Sequence, residues 1–346
     1  MHALVTGGGG FLGGYIVEAL IARGDHVRSF GRGNYPGLRA QGVEVIRGDI
    51  RDRDAVAAAC HGIDCVFHTA AMPGIGMRAK QYDEINRIGT DNVLFACKAA
   101  HVSRLVYTSS PSVTFAGDDQ CGIDESASYG FDWLTAHRAY YSLSKAHAER
   151  NVLTANQLSF RTCALRPHLL WGPGDTQLIP RLIARARAGR LRRIGEGANL
   201  VDITYVENAA DAHLQAADAL AQDTHGEAAA AAGCHVAGRS FFLSQGQRVN
   251  CWQWINEILA LLNLPPVTKS LSYTSAWRLG AFCEVGYHLT GVSAEPPMTR
   301  FLAAQLAKSH WFDISAAKRD LGYQPCVSTE EGMCRLGEWL RKTAKP

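Results

Sequence analysis

The sequence has little excess charge of either sign. Its 346 residues include 35 lysines and arginines against 32 aspartates and glutamates, and charged residues make up only 19% of the chain. A net charge of +3 is too small to indicate nucleic-acid binding. Hydrophobic residues make up 47%, so the chain can bury a full core, and its length suits one large or two modest domains.

The sequence also lacks the cysteine patterns of disulfide-rich and zinc-binding proteins. It has 10 cysteines but no Cys-x-x-Cys pair, and Cys65, Cys97, Cys163 and Cys283 lie inside apolar runs. This pattern is typical of reduced, buried thiols in a cytosolic protein. No cluster of histidine, cysteine and carboxylate has the spacing of metal ligands, so we predict no metal site.

No stretch has the pattern of a membrane span or a targeting segment. The nearest candidate, residues 277–292, is interrupted by Arg278, Glu284 and His288. The chain enters a predicted strand at its first residues, and we therefore expect no signal peptide. These absences predict a cytoplasmic protein, with peripheral attachment to a membrane as the alternative.

A glycine-rich turn follows the first predicted strand and leads into a helix whose first apolar residues are Phe11 and Leu12. In a strand–turn–helix unit of this kind, Gly7 permits the tight turn, Gly10 lets backbone approach a pyrophosphate, and Gly13 lets the helix pack on the strand. The N–H groups at the helix N-terminus favour the bound anion. The pattern predicts dinucleotide binding.

The end of the second predicted strand, residues 26–30, bears on the choice of cofactor. NAD-binding folds of this type usually carry a carboxylate there for the ribose 2′-hydroxyl. This chain has Gly31-Arg32 instead, and a guanidinium suits a 2′-phosphate. We therefore predict a preference for NADP(H). The alternative is that Arg32 is only a loop residue and that NAD(H) also serves.

Further strands alternate with helices and end in residues that we place beside the cofactor. The third strand ends at Asp49 and Ile50, where Asp49 can meet the adenine edge, and the fourth ends in the small residues Thr69, Ala70 and Ala71. This alternation predicts an α/β fold, a Rossmann-type doubly wound parallel sheet. Ligands of such sheets bind beyond the carboxyl ends of the strands.

Hydroxyl groups cluster at the end of the fifth predicted strand. Thr108 is followed by Ser109, Ser110 and Ser112, and a serine there can hydrogen-bond a substrate carbonyl. The spacing alone does not choose among the three serines, and any of them can instead cap the strand end.

Tyr141 and Lys145 lie four residues apart at the start of a predicted helix, so the phenol and the ammonium share one face. A neighbouring cation lowers a tyrosine pKa from about 10 towards neutrality. A tyrosine tuned in this way can exchange protons with a substrate.

The regular alternation of strands and helices is lost in the last third of the chain. We predict an NADP-binding Rossmann domain over residues 1–170, to which residues 201–222 return, and a smaller, mainly helical substrate domain over residues 171–200 and 223–346. Ala228–Ala232 is the predicted linker. The apolar and aromatic C-terminal part forms a second core, and it can also line a pocket for a lipid-like substrate or contact a membrane.

Together these motifs resemble the extended short-chain dehydrogenase/reductase superfamily, and within it the 3β-hydroxysteroid dehydrogenase branch. The resemblance covers nearly the whole chain. It rests on Thr6-Gly7-x-x-Gly10-x-x-Gly13, Asp49-Ile50, Tyr107-Thr108-Ser109-Ser110, Tyr141-x-x-x-Lys145, Arg166-Pro167, Trp171-Gly172-Pro173-Gly174-Asp175, and residues 295–301 and 317–323.

The resemblance implies a role for each matching residue. Ser110 would be the catalytic hydroxyl, Tyr141 the proton donor or acceptor, and Lys145 the cation that also holds the nicotinamide ribose. Backbone near Pro167 and Leu170 would meet the carboxamide, and Asn86 would support the nicotinamide side. The full predicted cofactor set is Gly7, Gly10, Phe11, Leu12, Gly13, Arg32, Asp49, Ile50, Thr69, Ala70, Ala71, Asn86, Thr108, Tyr141, Lys145, Pro167 and Leu170.

The resemblance further implies a ketone reductase that acts on a β-keto acid with long alkyl chains, in a lipid or olefin pathway with partner enzymes. Three alternatives stay open: an NAD-dependent sterol-4-carboxylate 3-dehydrogenase, a nucleotide-sugar epimerase or dehydratase, and a non-enzymatic NADPH sensor. Relatives commonly dimerise through the helices that here span residues 82–100 and carry Tyr141, so we expect a homodimer.

Overall fold

A seven-stranded parallel sheet forms the centre of the molecule. The computed structural model describes residues 1–223, 235–290 and 294–343, and the predicted linker Ala228–Ala232 lies outside them. In spatial order the strands are Ser240–Leu243, Arg161–Pro167, Arg104–Thr108, Cys65–His68, His2–Thr6, His26–Gly31 and Glu44–Arg47. The order reverses direction at His2–Thr6, which creates a ligand crevice at the carboxyl ends of the strands. The predicted doubly wound Rossmann-type sheet is confirmed.

Helices cover both faces of the sheet because each has one apolar stripe that must be buried. The helices on one face are Phe11–Ala22, Val206–Gln222 and Ser315–Leu321. Those on the other face are Arg53–Cys60, Gly89–Ala99 and Tyr140–Thr154. Shorter helical segments occupy Pro36–Ala40, Phe131–Ala136 and, as a 3₁₀ turn, Pro111–Thr114.

The long helix predicted from Tyr82 to Ala100 consists of three consecutive segments. An α-helical turn, Ala79–Tyr82, leads into a π-helical turn, Asp83–Ile88, and then into Gly89–Ala99. Single π-helical turns inside α-helices are frequent at functional sites. This one contains the buried Asn86, which belongs to the predicted cofactor set.

A second, smaller unit has its own core of tryptophans and aliphatic residues, including Trp171, Trp252 and Trp254. Its helices are Leu178–Arg187, Cys251–Ala260, Tyr273–Thr290, Arg300–Ala307 and Thr329–Thr343. A sheet of short strands joins it to the first unit, in the order Val249–Asn250, Leu200–Val201, His310–Phe312 and Gln120–Ile123. Two further strand pairs are Leu170–Trp171 with Thr204–Tyr205, and Arg193–Ile194 with Ser270–Leu271.

Two strands differ from the predicted organisation. At the start of residues 201–222, which are predicted to return to the Rossmann domain, two short strands, Leu200–Val201 and Thr204–Tyr205, lie outside the main sheet. Conversely, Ser240–Leu243 falls in the predicted substrate domain but is the seventh strand of the main sheet. A buried run of one serine and three apolar residues carries no periodicity that would assign it to a particular sheet. The helix Val206–Gln222 does pack on the main sheet, as the prediction has it.

Cys65, Cys97, Cys163 and Cys283 are buried and unpaired. In the part of the chain that the structure describes, we find no helix that is both long and apolar enough to span a membrane.

Candidate active site

A cleft of about 830 Å³ runs along the carboxyl edge of the sheet. The predicted site residues that line it are Gly7, Gly10, Phe11, Leu12, Gly13, Arg32, Asp49, Ile50, Thr69, Ala70, Ala71, Thr108, Ser110, Tyr141, Lys145, Pro167 and Leu170. Asn86 belongs to the predicted set but does not line the cleft. The lining residues that the sequence did not single out include Tyr35, Arg51, Met72, Arg78, Leu169 and Gln177. Tertiary folding therefore brings nearly the whole predicted set to one place, while the role of each residue stays a prediction.

The glycine turn leaves backbone exposed at one end of the cleft. Gly7 has a left-handed backbone, with φ of +75°, and a Cβ on Gly13 would lie 2.2 Å from the Gly7 carbonyl oxygen. Glycine at both positions is therefore required for the turn and for close packing of the helix. Gly10 caps the Phe11–Ala22 helix at its N-terminus without a side-chain cap, which suits the negative charge of a pyrophosphate.

Two arginines flank the carboxylate at the outer end of the cleft. Arg51 donates to Asp49 at 2.8 Å and, by this hydrogen bond, lowers the pKa of the Asp49 carboxyl, with a smaller contribution from the charge of Arg32. Tyr35 packs over the glycine turn, since a Cβ on Gly9 would lie 2.1 Å from its ring. The guanidinium of Arg51 adds positive charge to that of Arg32 at this end of the cleft, and such charge suits an adenosine phosphate.

Asn86 lies behind the cleft and holds part of its wall. Its amide oxygen accepts from the Met72 N–H at 2.7 Å, and its amide nitrogen donates to the Met72 carbonyl at 3.1 Å and to the Ser144 hydroxyl at 3.0 Å. The loop that follows the Cys65–His68 strand is thereby tied to the Tyr140–Thr154 helix. Asn86 thus supports the cleft wall through Met72, and its place in the cofactor set stays a prediction.

The three predicted catalytic residues meet at the other end of the cleft. Ser110 follows the Arg104–Thr108 strand, and Tyr141 and Lys145 occupy the first turns of the Tyr140–Thr154 helix. Ser109 also lines the cleft, whereas Ser112 does not. Ser112 instead bonds to the Ser110 hydroxyl at 2.9 Å and so orients it. The hydroxyl of Ser110 lies close enough to the Tyr141 phenol to lower its pKa.

The ionisation state of Tyr141 differs from the expectation. Burial raises the pKa of Tyr141 to about 12, against the lowering effect of Ser110, although the spacing to Lys145 predicted a shift towards neutrality. Burial also lowers the pKa of Lys145 to about 7. The Lys145 ammonium donates to the Thr108 carbonyl at 2.5 Å and lies 4.1 Å from the centre of the Tyr107 ring. The pKa shift of Tyr141 therefore runs opposite to the predicted lowering, because burial disfavours the charged form of the phenol.

A narrow second cleft adjoins Tyr141 on the side of the helical unit. Its walls come from both parts of the molecule: Gly74, Ile75, Gly76, Arg138, Ala139, Tyr140, Ser142, Thr299 and Phe301. The Gly76 N–H donates to the Tyr82 hydroxyl at 3.0 Å, and the Tyr82 ring packs edge-on against Tyr141 with centroids 6.3 Å apart. Tyr141 thus lines both clefts.

No three histidine, cysteine or carboxylate side chains in the described parts of the chain are grouped as metal ligands.

The fold and the cleft define a class of protein. A short-chain dehydrogenase/reductase combines a parallel Rossmann-type sheet with a glycine turn that fits a pyrophosphate and with a serine, a tyrosine and a lysine at one end of the cleft.

Comparison with known proteins specifies the family. Residues 4–270 match the 3-beta hydroxysteroid dehydrogenase/isomerase family, and the chain belongs to it. It is 47% identical to the 2-alkyl-3-oxoalkanoate reductase of Stenotrophomonas maltophilia, over 97% of this chain and 98% of that protein. It is 34% identical to the human decarboxylating sterol-4-alpha-carboxylate 3-dehydrogenase, over 97% of this chain and 87% of that protein.

The fold is shared with more distant proteins. The solved structure of MoeE5 in complex with UDP-glucose and NAD matches with a TM-score of 0.72 and 23% identity and covers both chains fully. At that identity the likeness shows the fold alone. The curated relatives are reductases and dehydrogenases, and this protein is an oxidoreductase of the same family.

Proposed function

We propose that this protein reduces a 2-alkyl-3-oxoalkanoate, a β-keto acid with long alkyl chains, to the β-hydroxy acid. The observation that carries the proposal is the convergence of Ser110, Tyr141 and Lys145 at one end of a cleft whose other end is a glycine turn. The named activity of the Stenotrophomonas maltophilia relative supports the substrate class.

The cofactor, when bound, supplies the hydride that a ketone carbon accepts. The chain supplies the proton and the orientation of the carbonyl group. Since its pKa is about 12, Tyr141 stays protonated at neutral pH and can donate a proton to the carbonyl oxygen. The Ser110 hydroxyl can hydrogen-bond the same oxygen, and Lys145, one helical turn further on, can bind the ribose hydroxyls.

The test is an assay of the purified protein with NADPH and a freshly prepared 2-alkyl-3-keto acid, in which loss of nicotinamide absorbance is matched to formation of the hydroxy acid. Reduction of the keto acid supports the proposal. A protein that leaves the keto acid untouched but oxidises a sterol-4-carboxylate with NAD would instead have the second candidate activity, for which the 34% identity to the human enzyme speaks.

The NADP(H) preference is proposed on the two arginines beside Asp49. We expect Arg32→Ala to weaken NADPH binding about 10- to 100-fold, the loss expected for a hydrogen bond to a charged phosphate, with NADH binding nearly unchanged. Nicotinamide fluorescence titrations measure both constants. Arg39→Ala, an exposed arginine outside the cleft, is the control. Equal loss of both cofactors in Arg32→Ala would contradict recognition of a 2′-phosphate.

A homodimer is proposed through the helices that span residues 79–99 and 140–154. Ile88 and Phe95 lie seven residues apart on one face and are 38% and 46% exposed, which is high for large apolar residues. We expect Phe95→Glu to halve the mass that light scattering measures. Leu158→Glu, at a residue 72% exposed elsewhere, should leave the mass unchanged. A wild-type protein that is already monomeric would refute the dimer.

Contact with a lipid surface is also proposed. Four apolar residues at helical spacing on the Tyr273–Thr290 helix are exposed: Leu279, Phe282, Val285 and Leu289. Such a face suits shallow attachment to a membrane that holds a lipid-like substrate. The same proposal includes partner enzymes that act with this protein in a lipid pathway.

A further inference from the structure

An arginine with an unpaired guanidinium nitrogen lines the same narrow cleft as Tyr141. Arg138 lines the narrow cleft together with Tyr141. Its Nη1 atom is buried and has no hydrogen-bond partner. Buried donors of charged groups are usually paired in folded proteins, so an unpaired guanidinium nitrogen in a cleft is free to donate to a ligand.

The backbone holds Arg138 in an unusual conformation. Its φ is +52°, in the left-handed region that residues with a Cβ seldom adopt. Hydrogen bonds on both sides fix this turn, from the Arg138 N–H to the Thr135 carbonyl and from the Ala139 N–H to the Leu134 carbonyl. These two hydrogen bonds are those of the Schellman motif, which ends the Phe131–Ala136 helix and fixes where the Arg138 side chain leaves the backbone.

The size of the narrow cleft limits its ligand. Its free volume of about 10 Å³ holds one small polar group, such as a carboxylate oxygen, and excludes an alkyl chain. The nearby carboxylate of Glu295 is already engaged, since it accepts from Arg181 at 2.9 Å and from the Ile75 N–H at 3.2 Å. The Glu295 carboxylate is therefore held by partners other than Arg138.

We propose that Arg138 binds the carboxylate of the substrate and so selects β-keto acids over neutral ketones. This inference rests on the proposed function. In a β-keto acid only one carbon separates the carboxyl group from the ketone carbon, so an anion held at Arg138 positions the ketone oxygen at Tyr141. A guanidinium suits this task because its fork of N–H donors matches a carboxylate.

The test compares a long-chain 2-alkyl-3-hydroxy acid with its methyl ester, both oxidised in the presence of NADP⁺. The wild-type protein should prefer the acid. Arg138→Met should lower kcat/KM for the acid about 10- to 100-fold, mainly through KM, and should change the ester less than about threefold. Arg138→Lys keeps the charge and should recover part of the preference. Arg190→Met removes an exposed arginine outside both clefts and should change neither substrate.

Equilibrium binding separates this inference from the proposed function. Calorimetry with NADP⁺ present should show the acid binding more tightly than the ester to the wild type but not to Arg138→Met, whether or not turnover occurs. Equal binding of acid and ester to the wild type, or equal losses for both in Arg138→Met, would overturn the carboxylate site. Failure of the wild type to oxidise either compound would overturn the proposed function alone.

Discussion

Replacing Tyr141 with phenylalanine is expected to lower kcat about 10²- to 10⁴-fold while cofactor binding stays within a factor of about two, because loss of a general acid typically costs that much in rate. The substitution removes one hydroxyl group and keeps the ring that packs edge-on against Tyr82. Ser110 and Lys145 remain, but neither is placed as the proton donor to the ketone oxygen. The loss should therefore fall on the chemical step.

Single-turnover measurements with saturating NADPH isolate that step from product release. Tyr287→Phe is a suitable control, since it removes a phenol hydroxyl outside both clefts and should leave kcat unchanged. A Tyr141→Phe protein with wild-type turnover would show that another group delivers the proton and would remove the basis of the proposed mechanism.

Replacing Arg166 with methionine is expected to cost about 3–5 kcal/mol of unfolding free energy, the usual price of leaving a buried charge without its partner. Arg166 and Glu149 form a buried ion pair with side chains 3% and 0% exposed, joined at 2.5 and 3.1 Å. Glu149 also accepts from the Tyr129 hydroxyl at 2.9 Å, so its carboxylate is fixed in place. It lies one helical turn after Lys145, and Arg166 precedes Pro167 in the cleft wall. The pair therefore joins the catalytic helix to the sheet.

Urea unfolding followed by circular dichroism measures this cost. Arg335→Met is the matched control, because Arg335 also pairs with carboxylates, Glu207 at 2.6 Å and Glu331 at 2.8 Å, but its side chain is 42% exposed. Surface pairs contribute at most about 1 kcal/mol each, so the control should unfold near the wild-type midpoint. Equal effects of the two substitutions would mean that burial does not set the strength of the Arg166 pair.

Local patterns in the sequence were sufficient for the fold and for most of the candidate site. The glycine turn constrains the backbone directly, and the spacing of Tyr141 and Lys145 fixes their shared helix face. Because parallel strands end at one edge of a sheet, residues after separate predicted strands, such as Arg32, Asp49 and Ser110, could be expected in one cleft, where the structure places them. The choice of Ser110 came from family resemblance, since spacing alone left three serines.

Other features depend on groups that are distant in the chain and have no local pattern. Ser240–Leu243 joins the main sheet only because the Arg161–Pro167 strand offers it an edge. Burial by residues from several elements, which spacing cannot reveal, determines that the pKa of Tyr141 rises and that of Lys145 falls. Arg138 is one arginine among many in the sequence. Only the tertiary structure brings Thr299 and Phe301 to the start of the Tyr140–Thr154 helix, and this places Arg138 in a cleft with Tyr141, where its Nη1 atom has no partner.

The sequence by itself determined the nucleotide-binding fold and the spacing of Tyr141 and Lys145, because both follow from contacts within a few residues. The tertiary structure decided the proton affinities and which side chains line the clefts, because both depend on which distant side chains pack together and exclude water.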